Sequence, residues 1–124
     1  MSAPLLVGYD GLEGGEAALT EALRLAGPLG AELVLAYAVR INPAGGEVKD
    51  FADALHEQAR EVLERGMARA QEAGVAARAE IVRGRVRDGL SELATAVGAQ
   101  MIVVGPTPLR LIAVAPVPVL AVPA

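Results

Sequence analysis

Residues 5–39 read LLVGYDGLEGGEAALTEALRLAGPLGAELVLAYAV, and this stretch predicts a strand, a helix and a second strand. The apolar run Leu5–Tyr9 is a strand buried on both faces. Alanine and leucine then recur at helical spacing over about Gly14–Leu29, and Gly30 marks the end of that helix. The second strand is Glu32–Val39. A strand, a helix and a strand in this order are typical of a parallel α/β sheet.

The rest of the chain continues this alternation. The remaining predicted elements, in chain order, are a long helix over about Asp50–Ala73, a strand over Ala77–Val82, a helix that Asp88 caps and that stops before Gly98, a strand over Gln100–Val104 and a strand over Val117–Val122. A loop with Asn, Pro and Gly over 42–46 precedes the long helix, whose apolar stripe is predicted to start at Phe51. Right-handed crossovers place helices on both faces of such a sheet. The third strand is the most polar, so we expect it at an edge.

Length and composition exclude several classes of protein. A chain of 124 residues suits one domain over 1–124. Its net charge of −4 and its 2% aromatic content argue against nucleic-acid binding, which needs a basic surface. The absence of cysteine excludes disulfides and thiol catalysis and fits a reducing compartment. No apolar run reaches the about 18 residues of a membrane span, and no secretory signal pattern opens the chain. We therefore expect a cytoplasmic protein that binds neither membranes nor nucleic acid.

Candidate site residues follow from the predicted sheet. Ligands of open parallel sheets bind beyond the carboxyl ends of the strands, where the strand order reverses. The residues at these ends are Asp10, Ala38 to Arg40, Arg83 to Arg87, and Gly105.

Each of these candidates also has a purely structural interpretation. Asp10 suits a turn, and Gly105 suits a tight exit from a strand. The alternating arginines 83, 85 and 87 either attract an anion or form a solvated loop beside Asp88. His56 is the single histidine and the chain has no cysteine, so we expect no metal site there. His56 lies on the long helix and no serine sits on a sharp strand-to-helix turn, so no Ser-His-Asp set can be assembled and we expect no enzyme activity.

Three sequence segments point to a known family. They are the opening quoted above, IVRGRVRDGLSELATAVGAQMIVVG at 81–105 and APVPVLAV at 115–122, and together with the helix between them they cover essentially the whole chain. In this order they resemble a universal stress protein domain, which acts in stress responses. The resemblance implies a five-stranded parallel sheet in the order 3-2-1-4-5. It also implies a nucleotide above strands 1 and 4, with Asp10 facing it, adenine near Ala38 and phosphates on a glycine-rich loop that opens at Gly105.

This chain departs from the family pattern most clearly in the phosphate loop. The family pattern is G-x2-G-x9-G-[ST], and counting from Gly105 its later positions fall on Pro108, Pro118 and Val119. Proline has no N–H to donate to a phosphate. Only residues 106–116 separate the last two predicted strands, whereas parallel strands need a crossover of roughly a dozen residues or more. Helix 4 is therefore predicted to be shortened, and the sequence does not distinguish a natural short connection from a deletion.

Three functions remain open on these grounds. The first is a stress-response domain without cofactor that does not bind ATP in the family manner. The second is an adenine-nucleotide binder, taking ATP with magnesium at a vestigial or weak site of Asp10, Ala38 and Gly105. The third is a sensor of anions that uses Asp10 and the turn Arg83–Arg87.

Strand 5 is predicted to pair with a second copy of the chain. In the implied strand order it is an apolar edge strand, which favours aggregation unless it is covered or paired. Members of the family commonly dimerise through this strand. We therefore expect a homodimer through Val117, Val119 and Ala121.

Overall fold

The computed structural model describes residues 2–39, 48–106 and 108–124. Helices and strands alternate along them, in the order β1 (Leu5–Gly8), α1 (Glu13–Leu29), β2 (Leu33–Val39), α2 (Val48–Glu72), β3 (Ala77–Arg83), α3 (Val86–Val97), β4 (Met101–Val104), α4 (Leu109–Val114) and β5 (Val119–Ala121). The predicted loop over 42–46 lies outside the described residues. The helix and strand assignments agree with the sequence prediction to within a few residues at each end.

The five strands form one parallel sheet in the order β3-β2-β1-β4-β5. This confirms the α/β class and the strand order that the family resemblance implied, and β3 lies at an edge as its polarity predicted. The central strand β1 pairs with β2 on one side, Leu5 opposite Leu33, and with β4 on the other, Leu5 opposite Met101. The strand order therefore reverses between β1 and β4, and ligands of open parallel sheets bind at such a switch point.

The sheet is covered on both faces by separate apolar cores. Alternate residues of β1 point to opposite faces, so that Leu5 and Val7 belong to one core and Leu6 belongs to the other. All three side chains are fully buried. The first core contains residues of α1 and α2, including Leu19 and Leu63, and the second contains residues of α3 and α4. Burial on both faces explains why the central strands are continuously apolar.

The predicted cap of α3 was wrong. The helix begins at Val86 with Arg85 in the N-cap position and no side-chain cap, and Asp88 lies in its first turn. Gly84 adopts a positive φ of 97°, which reverses the chain directly after β3. The helix can therefore start earlier than the aspartate suggested, and the Gly89 N–H bonds the carbonyl of Arg85 at 2.9 Å.

Phe51 was wrongly assigned to the buried stripe of α2. Its side chain is 61% exposed, whereas Ala59, Val62 and Ala70 further along the same helix are buried. The 25 residues of α2 span about 37 Å and the seven residues of β2 about 23 Å, so the helix overhangs the sheet. The first turns of α2 therefore extend beyond the sheet, and an apolar side chain there, such as Phe51, has no sheet surface to pack against.

The C-terminal elements are short. The helix α4 has six residues, as the brief connection predicted, and β5 has three residues where six were expected. Prolines limit β5 at both ends, because Pro118 and Pro123 offer no N–H to a sheet. The carbonyl of Pro118 still accepts a hydrogen bond from Ile102 N at 2.9 Å, so backbone pairing begins there.

Candidate functional site

The three predicted nucleotide-site residues lie at one rim of the sheet. Gly8 is opposite Ala36, and the same register carried two residues further places Ala38 opposite Asp10. Val7 is opposite Val103, which places Gly105 beside Tyr9 in the same way. Neighbouring strands therefore bring the three predicted residues close together at the carboxyl ends, as the parallel topology requires.

Asp10 is engaged in the turn that leads into α1. Its Oδ1 atom accepts a hydrogen bond from the Leu12 N–H at 2.9 Å. The carboxylate lies directly over Gly15, where an added Cβ would collide with Oδ1 and lie 2.8 Å from the Asp10 nitrogen. This geometry supports the structural interpretation of Asp10 as a turn residue.

Gly105 lies against the first turn of α1. A Cβ added to Gly105 would lie 2.8 Å from the Gly14 Cα atom and 2.9 Å from the Gly14 carbonyl carbon and oxygen. Real Cβ atoms do not approach backbone so closely, so only glycine fits at this position. The chain leaving β4 therefore crosses the switch point in direct backbone contact with α1.

Tyr9 lies beneath the rim and belongs to the first core. Its side chain is only 2% exposed, and no group in the described part of the chain bonds its hydroxyl. Burial and, to a smaller degree, the nearby Glu16 carboxylate raise the pKa of Tyr9 to about 12. The ring faces Gly66 of α2, where a Cβ would lie 2.8 Å from Tyr9 Cε2.

A polar bridge joins α1 to α2 beside this tyrosine. Arg69 donates to the Thr20 hydroxyl at 2.7 Å, to the Glu16 carbonyl at 3.3 Å and to Glu16 Oε1 at 3.4 Å. The two helices that cover the first core are therefore tied together by one guanidinium group.

A cavity of about 740 Å³ opens on the other side of Gly105, between the start of α3 and α4. The residues that line it come from the rim ends of β4, α3 and α4, namely Arg85, Val86, Arg87, Val104, Gly105, Pro106, Pro108, Leu109, Arg110 and Leu111. Neither Asp10 nor Ala38 is among them. The predicted site residues thus separate into the rim above β1 and β2 and the cavity beside β4, and Gly105 borders both.

The arginines of the predicted turn Arg83–Arg87 do not act together. Arg83 points to His56, with Nη2 3.3 Å from the imidazole Nε2, and does not line the cavity. Arg85 and Arg87 do line it, and Arg110 of α4 joins them. Sequence reasoning missed Arg110, although its place shortly after Gly105, at the same rim, was a signal that could have found it.

The described ranges hold no candidate metal centre, since no group of three or more His, Cys, Asp or Glu side chains converges there. Likewise, no helix in residues 2–39, 48–106 and 108–124 is long and apolar enough to cross a bilayer. The polar groups at the rim include arginine guanidinium groups, backbone amides and the carboxylates of Asp10 and Asp88.

Comparison with known proteins identifies the family. The model of the universal stress protein family matches residues 1–123. The chain belongs to the universal stress protein family. A universal stress protein family member from Burkholderia pseudomallei is 33% identical, with a TM-score of 0.85 over 98% of this chain and 96% of the other. No curated protein matches the sequence significantly.

More distant universal stress proteins share the fold. The protein from Archaeoglobus fulgidus in complex with dAMP has a TM-score of 0.79 at 22% identity, over 97% of both chains. A family protein from Arabidopsis thaliana with AMP bound has a TM-score of 0.76 at 14% identity, over 98% of this chain and 91% of the other. At these identities the likeness shows the common architecture and no more.

Proposed function

We propose that this universal stress protein is a dimeric stress-response domain that acts through protein contacts in the cytoplasm, without enzyme activity and without holding ATP in the family manner. The observation that carries the proposal is the backbone contact between Gly105 and Gly14. A triphosphate cradle requires several free N–H groups at the start of a helix after β4. Here that segment is short and is pressed against α1.

The composition of the connection supports the same conclusion. Pro106 and Pro108 follow Gly105 and have no N–H groups to offer. The helix that follows has six residues, so little backbone remains with which to surround three phosphates. Loss of the donors removes the charge-assisted hydrogen bonds on which phosphate affinity depends.

Binding of an adenine nucleotide is the second candidate. Asp10, Ala38 and Gly105 still meet at the rim, and relatives have been crystallised with dAMP and AMP. A monophosphate needs fewer backbone donors than a triphosphate, so weak binding of AMP agrees with this geometry better than binding of ATP does.

The surface near the C-terminus supports dimerisation. The six-residue α4 leaves Leu109, Ile112 and Val114 largely exposed, at 78%, 54% and 48%. The adjacent edge strand β5 has Val119 and Leu120 only partly buried and Ala121 exposed. An exposed apolar helix and an edge strand with an unpaired side are each typical of a surface that a partner covers.

Calorimetric titration with ATP and magnesium tests the nucleotide part of the proposal. We expect no binding tighter than millimolar by the natural chain. A variant in which a glycine-rich loop of the pattern G-x2-G-x9-G-[ST] replaces residues 105–108, and so precedes an intact α4, is the matched positive control, and there binding should appear. Submillimolar ATP binding by the natural chain that disappears in Asp10→Asn would contradict the proposal and establish the second candidate.

A further inference from the structure

The outer edge of β3 is the longer of the two open edges of the sheet. Within the described ranges no strand pairs with β3 on the side away from β2, and its seven residues compare with three in β5 at the other edge. None of the seven is buried, whereas five of the seven residues of β2 are. We propose that this edge pairs antiparallel with β3 of a second copy of the chain, so that Arg78 of each copy lies opposite Glu80 of the other.

The hydrogen bonds between β3 and β2 identify the backbone groups at the open edge. The Ala76 carbonyl accepts a bond from Leu33 N at 2.9 Å, and Gly84 N donates to the Val39 carbonyl at 3.1 Å. Successive residues of a strand direct their N–H and C=O groups to opposite sides, so the even-numbered residues of this stretch bond β2. The odd-numbered residues direct both groups outward, where they form a template for a further strand. These residues are Ala77, Ala79, Ile81 and Arg83.

The sequence on either side of Ala79 is self-complementary in charge. When two antiparallel copies of β3 are related by a two-fold axis at Ala79, Arg78 lies opposite Glu80 of the second copy, and symmetry forms the same pair twice. Opposite charges directly across a strand pair stabilise the pairing. An axis at residue 78 or at residue 80 would instead place two arginines or two glutamates opposite each other. The charges therefore select the axis at Ala79.

The same charges protect this edge against other strands. Charged side chains on an edge strand commonly prevent unwanted pairing. Arg78 and Glu80 would oppose a strand that carries like charges at the facing positions, but they attract a second copy. Neither residue takes part in an ion pair within residues 2–39, 48–106 and 108–124, so no existing pair has to break. The edge is therefore selective for its own sequence.

A groove beside Ala77 fits the side chain that this register brings there. Its volume is about 390 Å³, and its lining residues come from α2 and the start of β3, namely Glu64, Met67, Ala68, Gln71, Val75 and Ala77. The axis at Ala79 places Ile81 of the second copy opposite Ala77. Both residues face α2, since they share a face of the strand and pack against the first core. Most of the lining is apolar, so burial of this isoleucine beside it favours association.

Pairing through β3 is independent of the proposed pairing through β5, because the two strands are opposite edges of the sheet. If both interfaces form, dimers joined through β5 associate further, end to end, through β3. An Ala121→Arg change weakens the β5 contact and leaves β3 untouched. Association that remains in this variant therefore reports on β3 alone.

The test combines sedimentation velocity and hydrogen exchange on Ala121→Arg over a range of concentrations. We expect this variant to form dimers as its concentration rises. The amides of Ala77, Ala79 and Ile81 should exchange about tenfold more slowly in the dimer than in the monomer, because they gain acceptors from the second strand. The amides of Arg78 and Glu80, which already bond β2, should change little.

Charge reversal on β3 tests the register. In the Ala121→Arg background, Arg78→Glu and Glu80→Arg should each weaken association about tenfold or more, because like charges then face each other. An equimolar mixture of these two variants should associate as tightly as the background, since each strand then supplies what the other lacks. The matched control is Arg24→Glu, which reverses an exposed arginine of α1 that pairs with Glu21. It should stay within about twofold of the background.

Three outcomes would each overturn the proposal: no association of Ala121→Arg, an equal loss in the Arg24→Glu control, or no association in the mixture of the two charge-reversed variants. None of them bears on β5. The β5 contact is tested by comparing the natural chain with Ala121→Arg. Equal association of those two proteins would mean that β5 does not pair, while the pairing through β3 would stand.

Discussion

Gly14 and Gly105 bring the backbones of α1 and the β4 exit into direct contact, so that a Cβ on Gly105 would lie 2.8 Å from the Gly14 Cα atom. This contact joins the two halves of the sheet at the point where the strand order reverses. Because both partners are backbone, neither can move aside as the end of a long side chain would.

Gly105→Ala should therefore destabilise the protein. Overpacking of this kind costs about 1–3 kcal/mol of unfolding free energy, measured by urea denaturation followed by circular dichroism. Gly27→Ala in α1 is the control, since nothing lies within 4 Å of its added Cβ. There the change should stabilise by about 0.5–1 kcal/mol through helix propensity. Equal stability of the Gly105 variant and the natural chain would show that the contact is looser than the structure has it.

Tyr9 makes the unfolding free energy of the protein depend on pH in the alkaline range. Its pKa of about 12 lies above the value of 10.0 for a free tyrosine, so the folded state retains the proton after the unfolded state has lost it. The stability that the protonated Tyr9 contributes is complete below pH 10 and declines as pH rises from 10 to 12. Between pH 9 and 11 the loss should be about 1 kcal/mol of unfolding free energy.

The measurement is urea denaturation of the natural chain and of Tyr9→Phe at several pH values. Phenylalanine has no titrating hydroxyl, so the difference between the two proteins isolates Tyr9. At pH 8 we expect Tyr9→Phe to equal or exceed the natural chain in stability, because the buried hydroxyl has no partner in the described part of the molecule. Parallel pH curves for the two proteins would refute the raised pKa.

Arg69 should contribute more to stability than other arginines of α2. Arg69→Ala removes the bonds to Thr20 and Glu16 that tie α2 to α1, and we expect a loss of about 1–2 kcal/mol. The control is Arg60→Ala in the same helix. Arg60 pairs with Glu57 at 3.5 Å on an open surface, so its removal should change stability by less than about 0.5 kcal/mol. Similar losses from both variants would mean that the bridge adds nothing.

Dimerisation through β5 predicts a difference between the two edges of the sheet. Ala121 on β5 and Ala79 on β3 are both exposed alanines of edge strands. We expect Ala121→Arg to weaken the proposed pairing of two copies through β5, since like charges would face each other near a two-fold axis, whereas Ala79→Arg should not. Sedimentation velocity over a range of concentrations gives the dissociation constant of each protein. A natural chain that stays monomeric at the highest concentration would contradict the dimer.

The sequence predicted the layers of this fold better than the ends of its elements. Continuous apolar runs such as Leu5–Val7 have one physical meaning in a parallel sheet, burial on both faces, and the structure confirms it. Asp88 misled the prediction because an aspartate in the first turn of a helix is as favourable as one at its cap. Phe51 misled it because periodicity shows which side of a helix is apolar, not how far the sheet beneath it extends.

The rim was predictable in part. Parallel topology alone places Asp10, Ala38 and Gly105 at one edge, and the register confirms that they are neighbours. The partition of the arginines was not predictable, because it depends on side-chain directions. Arg83 turns to His56 on α2, while Arg85 faces the space beside α4. Arg110, by contrast, was open to prediction, because it follows shortly after Gly105 at the same rim.

The two cores and the rim divide the chain into almost independent sets of residues. Most of the side chains that hold the sheet between its helices lie within strands and helices, and the rim shares only a few residues with the cores, such as Tyr9, Val104 and Leu111. A loop that is shortened here changes the surface at the rim while leaving most of both cores in place. An architecture of this kind can change the surface at its rim without rebuilding either core.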